Sequence, residues 1–354
     1  MSSGKIIWHV ISNRWNSAIT EYALSSAKAL EKRGYRSIFS AVLDSPAHQR
    51  AQKYQLETIP FDEFTIVAAS NFVKNFKKIK PDSILLFGGP ETALARFIGK
   101  QRAFRFFGHD LNKTLLKVPF LFSFSYSHIS KFFVPNDKLK NQVQSICKKK
   151  IEKITLGLDI NADIYPVQKN NQIVILGRLD PVKGHARFLK IFKNLLDVFP
   201  SHKPKPVLHI IGQDANLDAN EILRLIKELN LKLGSDVLLS NSRVNDIYSI
   251  LKSAELGVIS SLGSEQICRV AEEFLLLGTP VLVSGAGATE EVLFPGAGSS
   301  YKTLNDEEAS REALSLILKI REENEIQKFN RINKAQSIFS LERMGEDLEN
   351  FIFS

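Results

Sequence analysis

Residues 173–199 read IVILGRLDPVKGHARFLKIFKNLLDVF, and this stretch decides the fold. The apolar run Ile173–Leu176 predicts a strand, and the 3.6-residue spacing of apolar positions from His185 to Phe199 predicts a helix. Between them lies Gly177-Arg178-Leu179-Asp180-Pro181-Val182-Lys183-Gly184. A strand, a glycine turn, two cations and a helix N-terminus form an anion site. Backbone N–H groups and the helix dipole favour phosphate there, and Arg178 and Lys183 can neutralise a diphosphate. The spacing is not that of a P-loop. Taken alone, the same residues also fit a surface turn with two solvated cations.

Outward from this unit the alternation continues. In the second half, strands are predicted at Val207–Ile211, Asp236–Leu239, Leu256–Ile259 and Val281–Val283. Helices are predicted near Asp218–Leu229, Val244–Ser253, Gln266–Leu277 and Asp306–Glu322. In the first half, strands are predicted at Ile6–Ile11, Ser37–Val42, Ser83–Phe87, Ala103–Phe107 and Lys131–Val134. Its helices are predicted at Ala18–Lys32, near Ala68–Ile79, from Glu91 and near Leu115–His128. Strand–helix alternation throughout implies right-handed βαβ units and parallel sheets. A chain of 354 residues suits two such domains. The boundary is expected within Leu156–Asn171, around Gly157 and Pro166. That gives an N-terminal domain over 1–158 and a C-terminal one over 159–340. In open parallel sheets ligands bind beyond the carboxyl ends of the strands, so the cleft between two such domains is the expected active site.

Composition fits a water-soluble protein: 44% apolar, 24% charged and a mean hydropathy of −0.08. The N-terminus lacks a signal-peptide pattern. No run reaches the 20 or so apolar residues that span a bilayer. Cys147 and Cys268 have no metal spacing and read as free thiols of a reducing compartment, so a cytoplasmic location is expected. The net charge of +9 is unevenly placed: residues 1–158 hold 25 Lys/Arg and 11 Asp/Glu, the remainder 22 and 27. A basic first half beside an acidic second half suggests an anionic partner for the first, unless its lysines only solvate helix faces.

A second motif starts at Ser264-Glu265-Gln266-Ile267-Cys268-Arg269 and ends in Gly278-Thr279-Pro280-Val281. Ile267, Val270, Ala271, Phe274 and Leu275 form an apolar stripe, with Glu265, Arg269 and Glu273 four apart on the other face. If one helix includes both carboxylates, they stand about 12 Å apart, near the span from a donor sugar across a diphosphate to a ribose. An exposed Glu–Arg–Glu ladder is the plain alternative.

The order GRLDPVKG, LHIIGQD (208–214), SE…E and GTPVLVS (278–284) resembles the family 4 retaining glycosyltransferases of the GT-B fold. The likeness runs from about Lys153 to Val292, beginning with KITLGLD (153–159). It implies two Rossmann-like α/β domains with parallel sheets facing a central cleft: donor binding in the C-terminal domain, acceptor binding in the N-terminal one. It further implies that Glu265 and Glu273, at the two ends of the family's E-x7-E motif, hold the donor sugar and the ribose. By the same resemblance Arg178 and Lys183 meet the diphosphate, with Gly177, Gly212, Gln266, Ile267 and Arg269 around the donor. Gly287 and Glu291 lie where the family has a GG…E segment. Gly108-His109-Asp110 resembles the segment carrying the family's histidine at the cleft mouth. Asn16-Ser17 stands where many members carry Gly-Gly near the donor phosphates, and Gln266-Ile267 replaces the usual Gly-Phe. The C-terminal helix, 341–354, is expected to cross back onto the N-terminal domain, as is common in that family.

The function so implied is transfer of a hexose-like sugar from a nucleoside-diphosphate sugar to a glycan, lipid-linked or phosphorylated acceptor. Stereochemistry is retained by front-face attack, with no metal and no further cofactor. A catalytically inactive binding protein of the same fold, or a sugar-nucleotide epimerase, are the alternatives. No RNP, helix-turn-helix or zinc signature points to nucleic acid. Lys113–Phe122, which mixes cations with large apolar side chains, reads either as peripheral contact with an anionic membrane or as a core helix.

Overall fold

The computed structural model describes residues 4–13, 15, 17–98, 102–111, 116–160, 167–242, 244–263, 265–302 and 304–354. Contacts divide the chain into two compact units: Met1–Asp159 with Ile338–Ser354, and Ile160–Ser337.

The first unit is built on seven strands: β1 (Ile6–Val10), β2 (Arg36–Ser40), β3 (Glu57–Thr58), β4 (Ser83–Leu86), β5 (Ala103–Phe106), β6 (Lys131–Val134) and β7 (Ile151–Lys153). They lie side by side in the order β3-β2-β1-β4-β5-β6-β7, every pair parallel. The interleaved helices are α1 (Ala18–Lys32), α2 (Pro46–Lys53), α3 (Ala69–Ile79), α4 (Gly89–Leu94), α5 (Pro119–Ser125) and α6 (Asp137–Gln144). Strands β1, β4, β5 and β6 are almost wholly buried, because helices cover both faces of a parallel sheet. Polar side chains start the helices. Ser17 and Asn136 accept the backbone N–H groups of Thr20 and Leu139, which the helical ladder leaves unpaired. Trp8, Phe61 and Phe72 stack in one core. There the Trp8 indole N–H donates to Ser40 Oγ at 2.9 Å, so its polar edge is satisfied.

The second unit has six parallel strands, β8 (Gln172–Leu176), β9 (Val207–Ile211), β10 (Val237–Ser240), β11 (Leu256–Ile259), β12 (Val281–Val283) and β13 (Gly298–Ser300). Their order is β10-β9-β8-β11-β12-β13. Its helices are α7 (His185–Val198), α8 (Ala219–Glu228), α9 (Ile247–Ser253), α10 (Arg269–Leu276), α11 (Asp306–Arg321) and α12 (Glu325–Phe339). Capping boxes at Asp218/Glu221 and Asn305/Glu308 set the starts of α8 and α11. In each sheet the order reverses beside the first strand, between β1 and β4 and between β8 and β11. These are the points where loops diverge and leave room for a ligand.

The last helix, α13 (Leu341–Phe353), belongs to the first unit and packs on α1. Met344, Leu348, Phe351 and Ile352 are buried, with Phe351 against Phe104 and Phe133 at ring distances of 5.1 and 5.3 Å. Arg33 and Tyr35 both bond the Glu349 carboxylate, and Lys131 Nζ donates to the Phe351 carbonyl at 2.9 Å.

Two helices differ from their sequence expectation. The segment expected to be helical near Leu115–His128 has α5 only over Pro119–Ser125, and Leu115 lies outside the described residues. The helix expected from Gln266 begins at Arg269, so Glu265 precedes it and the helical 12 Å estimate does not apply.

Candidate functional site

The C-terminal ends of β8 and β11 are neighbours because those strands pair directly. Beyond β8 the chain turns through Gly177–Asp180. Gly177 N–H donates to the Ile211 carbonyl at 3.0 Å and Leu179 N–H to the Gln213 carbonyl at 2.8 Å. Gly212 has no Cβ because none would fit: the atom would sit 1.8 Å from the Gly177 carbonyl oxygen. Asp180 is buried and accepts from Val182 N–H at 3.0 Å and from Asn216 Nδ2 at 2.7 Å. The Val182 bond, with the Asn216 bond and the nearby Arg178 and Lys183, holds its carboxyl below the usual carboxylate range. The short 3-10 turn Pro181–Lys183 then leads into α7 through Gly184. Gly184 has φ = 71°, and a Cβ on it would lie 2.0 Å from the Ser260 carbonyl oxygen. That approach brings the β8 turn against the loop after β11, where Ser260 Oγ donates to the Lys183 carbonyl at 2.6 Å.

This packing places Lys183 on Glu265. Lys183 Nζ donates to Glu265 Oε2 at 2.8 Å, and Ser261 Oγ donates to the same oxygen at 2.9 Å. The Glu265 backbone is held from the other side, where Ala288 N–H donates to its carbonyl at 2.8 Å. Gly177, Lys183, His185, Ser260, Ser261 and Glu265 line a cavity of about 30 Å³ at these strand ends. Burial pushes the His185 imidazole down to about 4, so it stays neutral there. Arg178 is exposed at the start of the same turn. Glu273, one turn into α10, is buried and accepts from Arg269 Nε at 2.8 Å. It is therefore no rung of an exposed ladder. Gln266 and Ile267 are also buried. The structure thus joins Lys183 and Glu265 directly and sets Glu273 further along α10. Ser260, Ser261, Asp180 and His185 belong to the constellation and were not singled out in the sequence. The rule that ligands gather beyond strand ends could have found Ser260-Ser261, which immediately follow β11.

The first unit holds a second concave site, again at its switch point. Ser12 N–H donates to Glu91 Oε1 at 3.1 Å, and Glu91 is fully buried, which raises its pKa. Buried Arg105, on β5, donates to the carbonyls of Leu86 and Phe106 and lies over the Phe107 ring at 4.9 Å. Its nearby positive charge opposes the rise at Glu91. His109 follows β5 in an exposed loop, its pKa lowered by partial burial and by Arg105. Asp110 is tied to α6 by Gln142 Nε2 at 2.9 Å. A pocket of about 490 Å³ opens here, lined among others by Asn13, Trp15, Ser17, Arg105, His109 and Tyr126. Ser17 accepts from Asn13 Nδ2 at 2.6 Å while capping α1. Asn16 lies outside the described residues.

Residues 160–334 match the model of the family described as glycosyl transferases group 1, which spans nearly all of the second unit. No curated protein sequence matches the chain. Among solved structures, the Anabaena HepE protein in complex with UDP superposes with a TM-score of 0.78 at 15% identity, covering 98% of this chain and 99% of that one. A Rickettsia africae glycosyltransferase gives 0.78 at 14% identity, covering 99% and 98%. The lipopolysaccharide outer core galactosyltransferase WaaB gives 0.73 at 14% identity, covering 99% of each chain. The chain has the GT-B fold. The likeness extends over both Rossmann-like units of that fold, whereas the family model is confined to the second. Among the described residues no group of three His, Cys, Asp or Glu side chains is placed to hold a metal ion, and no helix is long and apolar enough to cross a membrane.

Proposed function

We propose that the protein is a retaining glycosyltransferase that moves a hexose from a nucleoside-diphosphate sugar to an acceptor hydroxyl. The observation that carries this reading is the Lys183–Glu265–Ser261 constellation at the β8 and β11 strand ends, inside the segment that matches glycosyl transferases group 1. The diphosphate lies against the Gly177–Gly184 turn. Its charge grows as the sugar C1–O bond breaks, and Arg178 and Lys183 stabilise that growth without a metal. The acceptor oxygen bonds C1 on the same face, and its proton passes to the departing phosphate oxygen. Glu265 orients the sugar hydroxyls, and Glu273 accepts from the ribose. Lys183 Nζ pairs with Glu265 at 2.8 Å, so the cation for the phosphate and the carboxylate for the sugar are adjacent.

The HepE complexes contain UDP, UDP-glucose, or UDP and glucose, which makes UDP-sugars the first donors to try. Incubation with a panel of nucleotide sugars should give slow donor hydrolysis that Lys183→Ala abolishes. Glu273→Gln should weaken binding of the free nucleoside diphosphate about tenfold, the loss of one good hydrogen bond to a charged group. Glu265→Gln should leave that affinity nearly unchanged and slow transfer instead. Equal effects of both substitutions on diphosphate affinity, read by calorimetry, would contradict the division of roles.

A further inference from the structure

From Phe64 to Asn136 the sequence holds eleven Lys/Arg and three Asp/Glu. None of the three acids faces the surface formed by α3, α5 and the turn Ala95–Ile98. Asp82 accepts from Ile6 N–H at the start of β1, Glu91 is buried, and Asp110 is bound by Gln142. Asp62 and Glu63 lie at one edge, sharing a concave surface with Lys74 and Lys78 of α3. The face from Lys77 to Arg96 and Lys117 is nonetheless predominantly cationic, and it is also apolar. Helix α5 buries one of its seven side chains, Phe122, which packs on Phe107, Tyr126 and Phe132. Its other large apolar groups point outward: Phe120 is 75% exposed, Phe124 62% and Leu121 42%. An amphipathic segment in a water-soluble core would show the opposite balance.

The helix cannot simply roll inward. Arg96 Nη2 donates to the carbonyls of Phe124 and Ser125 at 2.9 and 2.7 Å, and its guanidinium lies 5.3 Å over the Phe124 ring. The next residue, Phe97, is 52% exposed. It forms one wall of a groove of about 560 Å³ whose other walls are Ala69, Ser70, Val73, Lys74 and Lys77 of α3. Lys74, Lys77 and Arg96 are exposed around these rings, as is Lys117 just before α5. Protruding phenylalanines on a rigid base, with Lys77, Arg96 and Lys117 around them and the acids Asp62 and Glu63 confined to the far side of α3, match one surface chemistry. They fit the interface of an anionic bilayer, where rings enter the acyl boundary and cations meet the headgroups.

We infer that the α3–α5 face of the first unit docks peripherally on anionic membrane surfaces. The proposal goes beyond the transferase reading and stands or falls without it. The test is co-sedimentation of the full chain with two kinds of vesicle. One is of phosphatidylcholine alone, the other of phosphatidylcholine with about one third phosphatidylglycerol, where each surface lysine contributes about fivefold in affinity. Binding is expected to the anionic vesicles only, and to fall as salt is raised. Lys74→Gln with Lys77→Gln should weaken it roughly 25-fold. Phe120→Ser with Phe124→Ser should weaken it at least about tenfold without unfolding, since both rings are solvent-exposed. No vesicle binding at low salt, equal binding to neutral vesicles, or binding that survives all four substitutions overturns the proposal. So does a protein whose dimerisation, followed by analytical ultracentrifugation, is what the phenylalanine substitutions abolish, because a second copy would then cover this face.

Discussion

Gly184 shows how much of the candidate donor site rests on single residues. Its positive φ and the Ser260 carbonyl 2.0 Å from where a Cβ would be leave no space for any other residue. Gly184→Ala should cost about 2 kcal/mol or more, since strain at φ > 0 adds to backbone displacement. Urea unfolding of the variant checks the number. Arg178 poses the opposite case: exposed, it contributes little to folding. Arg178→Ala should leave the urea midpoint unchanged and lower kcat/KM for sugar transfer roughly 100-fold, the usual loss when one donor to developing charge is removed. A wild-type rate would take Arg178 out of the site. Residue identity was legible for both motifs, but the Lys183–Glu265 contact was not. The two residues are 82 apart in sequence, and only the β8–β11 pairing brings them together.

At the scale of elements, α13 is the clearest case of a helix whose place is decided by long-range packing. Its apolar spacing, Met344, Leu348, Phe351 and Ile352, marks a buried face, and Phe104 and Phe133 of the first unit supply the surface it covers. Phe351→Ala should destabilise the first unit by about 3 kcal/mol, the cost of an unfilled aromatic site. The two tryptophans, Trp8 and Trp15, both belong to that unit, so tryptophan fluorescence reads its unfolding separately. A midpoint unchanged by the substitution would mean that the helix is held by its polar contacts to Arg33, Tyr35 and Lys131 instead. Helix α10 teaches a different lesson. Periodicity alone extended it back to Gln266, because Ile267 shares the apolar stripe. The chain instead approaches the helix in a loop whose burial comes from tertiary neighbours, among them the Ala286–Ala288 segment.

Across the whole molecule, each unit buries a histidine whose charged form is strongly disfavoured. His9, at the centre of β1 between Phe39 and Phe87, has its pKa pushed down to about 3 by burial, and His185 in the second unit is pushed to about 4. Unfolded histidine titrates near 6.5, so below that pH the unfolded chain binds protons that the folded one refuses. Stability is therefore full above about pH 6.5. It falls as the pH drops toward the folded values, by roughly 1.4 kcal/mol per pH unit for each histidine. His9→Phe should flatten this fall for the first unit between pH 6.5 and pH 4, seen as urea midpoints by tryptophan fluorescence. An unchanged slope would show that other groups govern its acid lability.

Local signals were enough for the architecture. Short β-rich runs, helical periodicity and glycine turns recur in the order of parallel βαβ units and give two Rossmann-like halves, while the GT-B assignment came from the ordered motifs of the family resemblance. They also drew attention to Arg178 and Lys183 as a candidate phosphate turn after β8, whereas roles for Glu265 and Glu273 came from the motif resemblance. What chain-local patterns could not contain is the outcome of competition for buried surface. Phe120, Leu121, Phe122 and Phe124 are equivalent as a string of apolar residues, and Lys117 before them carries no label of its own. Phe122 packs against the rings of Phe107, Tyr126 and Phe132. The others remain outside because Arg96 pins the end of the helix. Hydrophobicity along a chain states how much surface seeks cover, and only the folded neighbours determine which of it finds any.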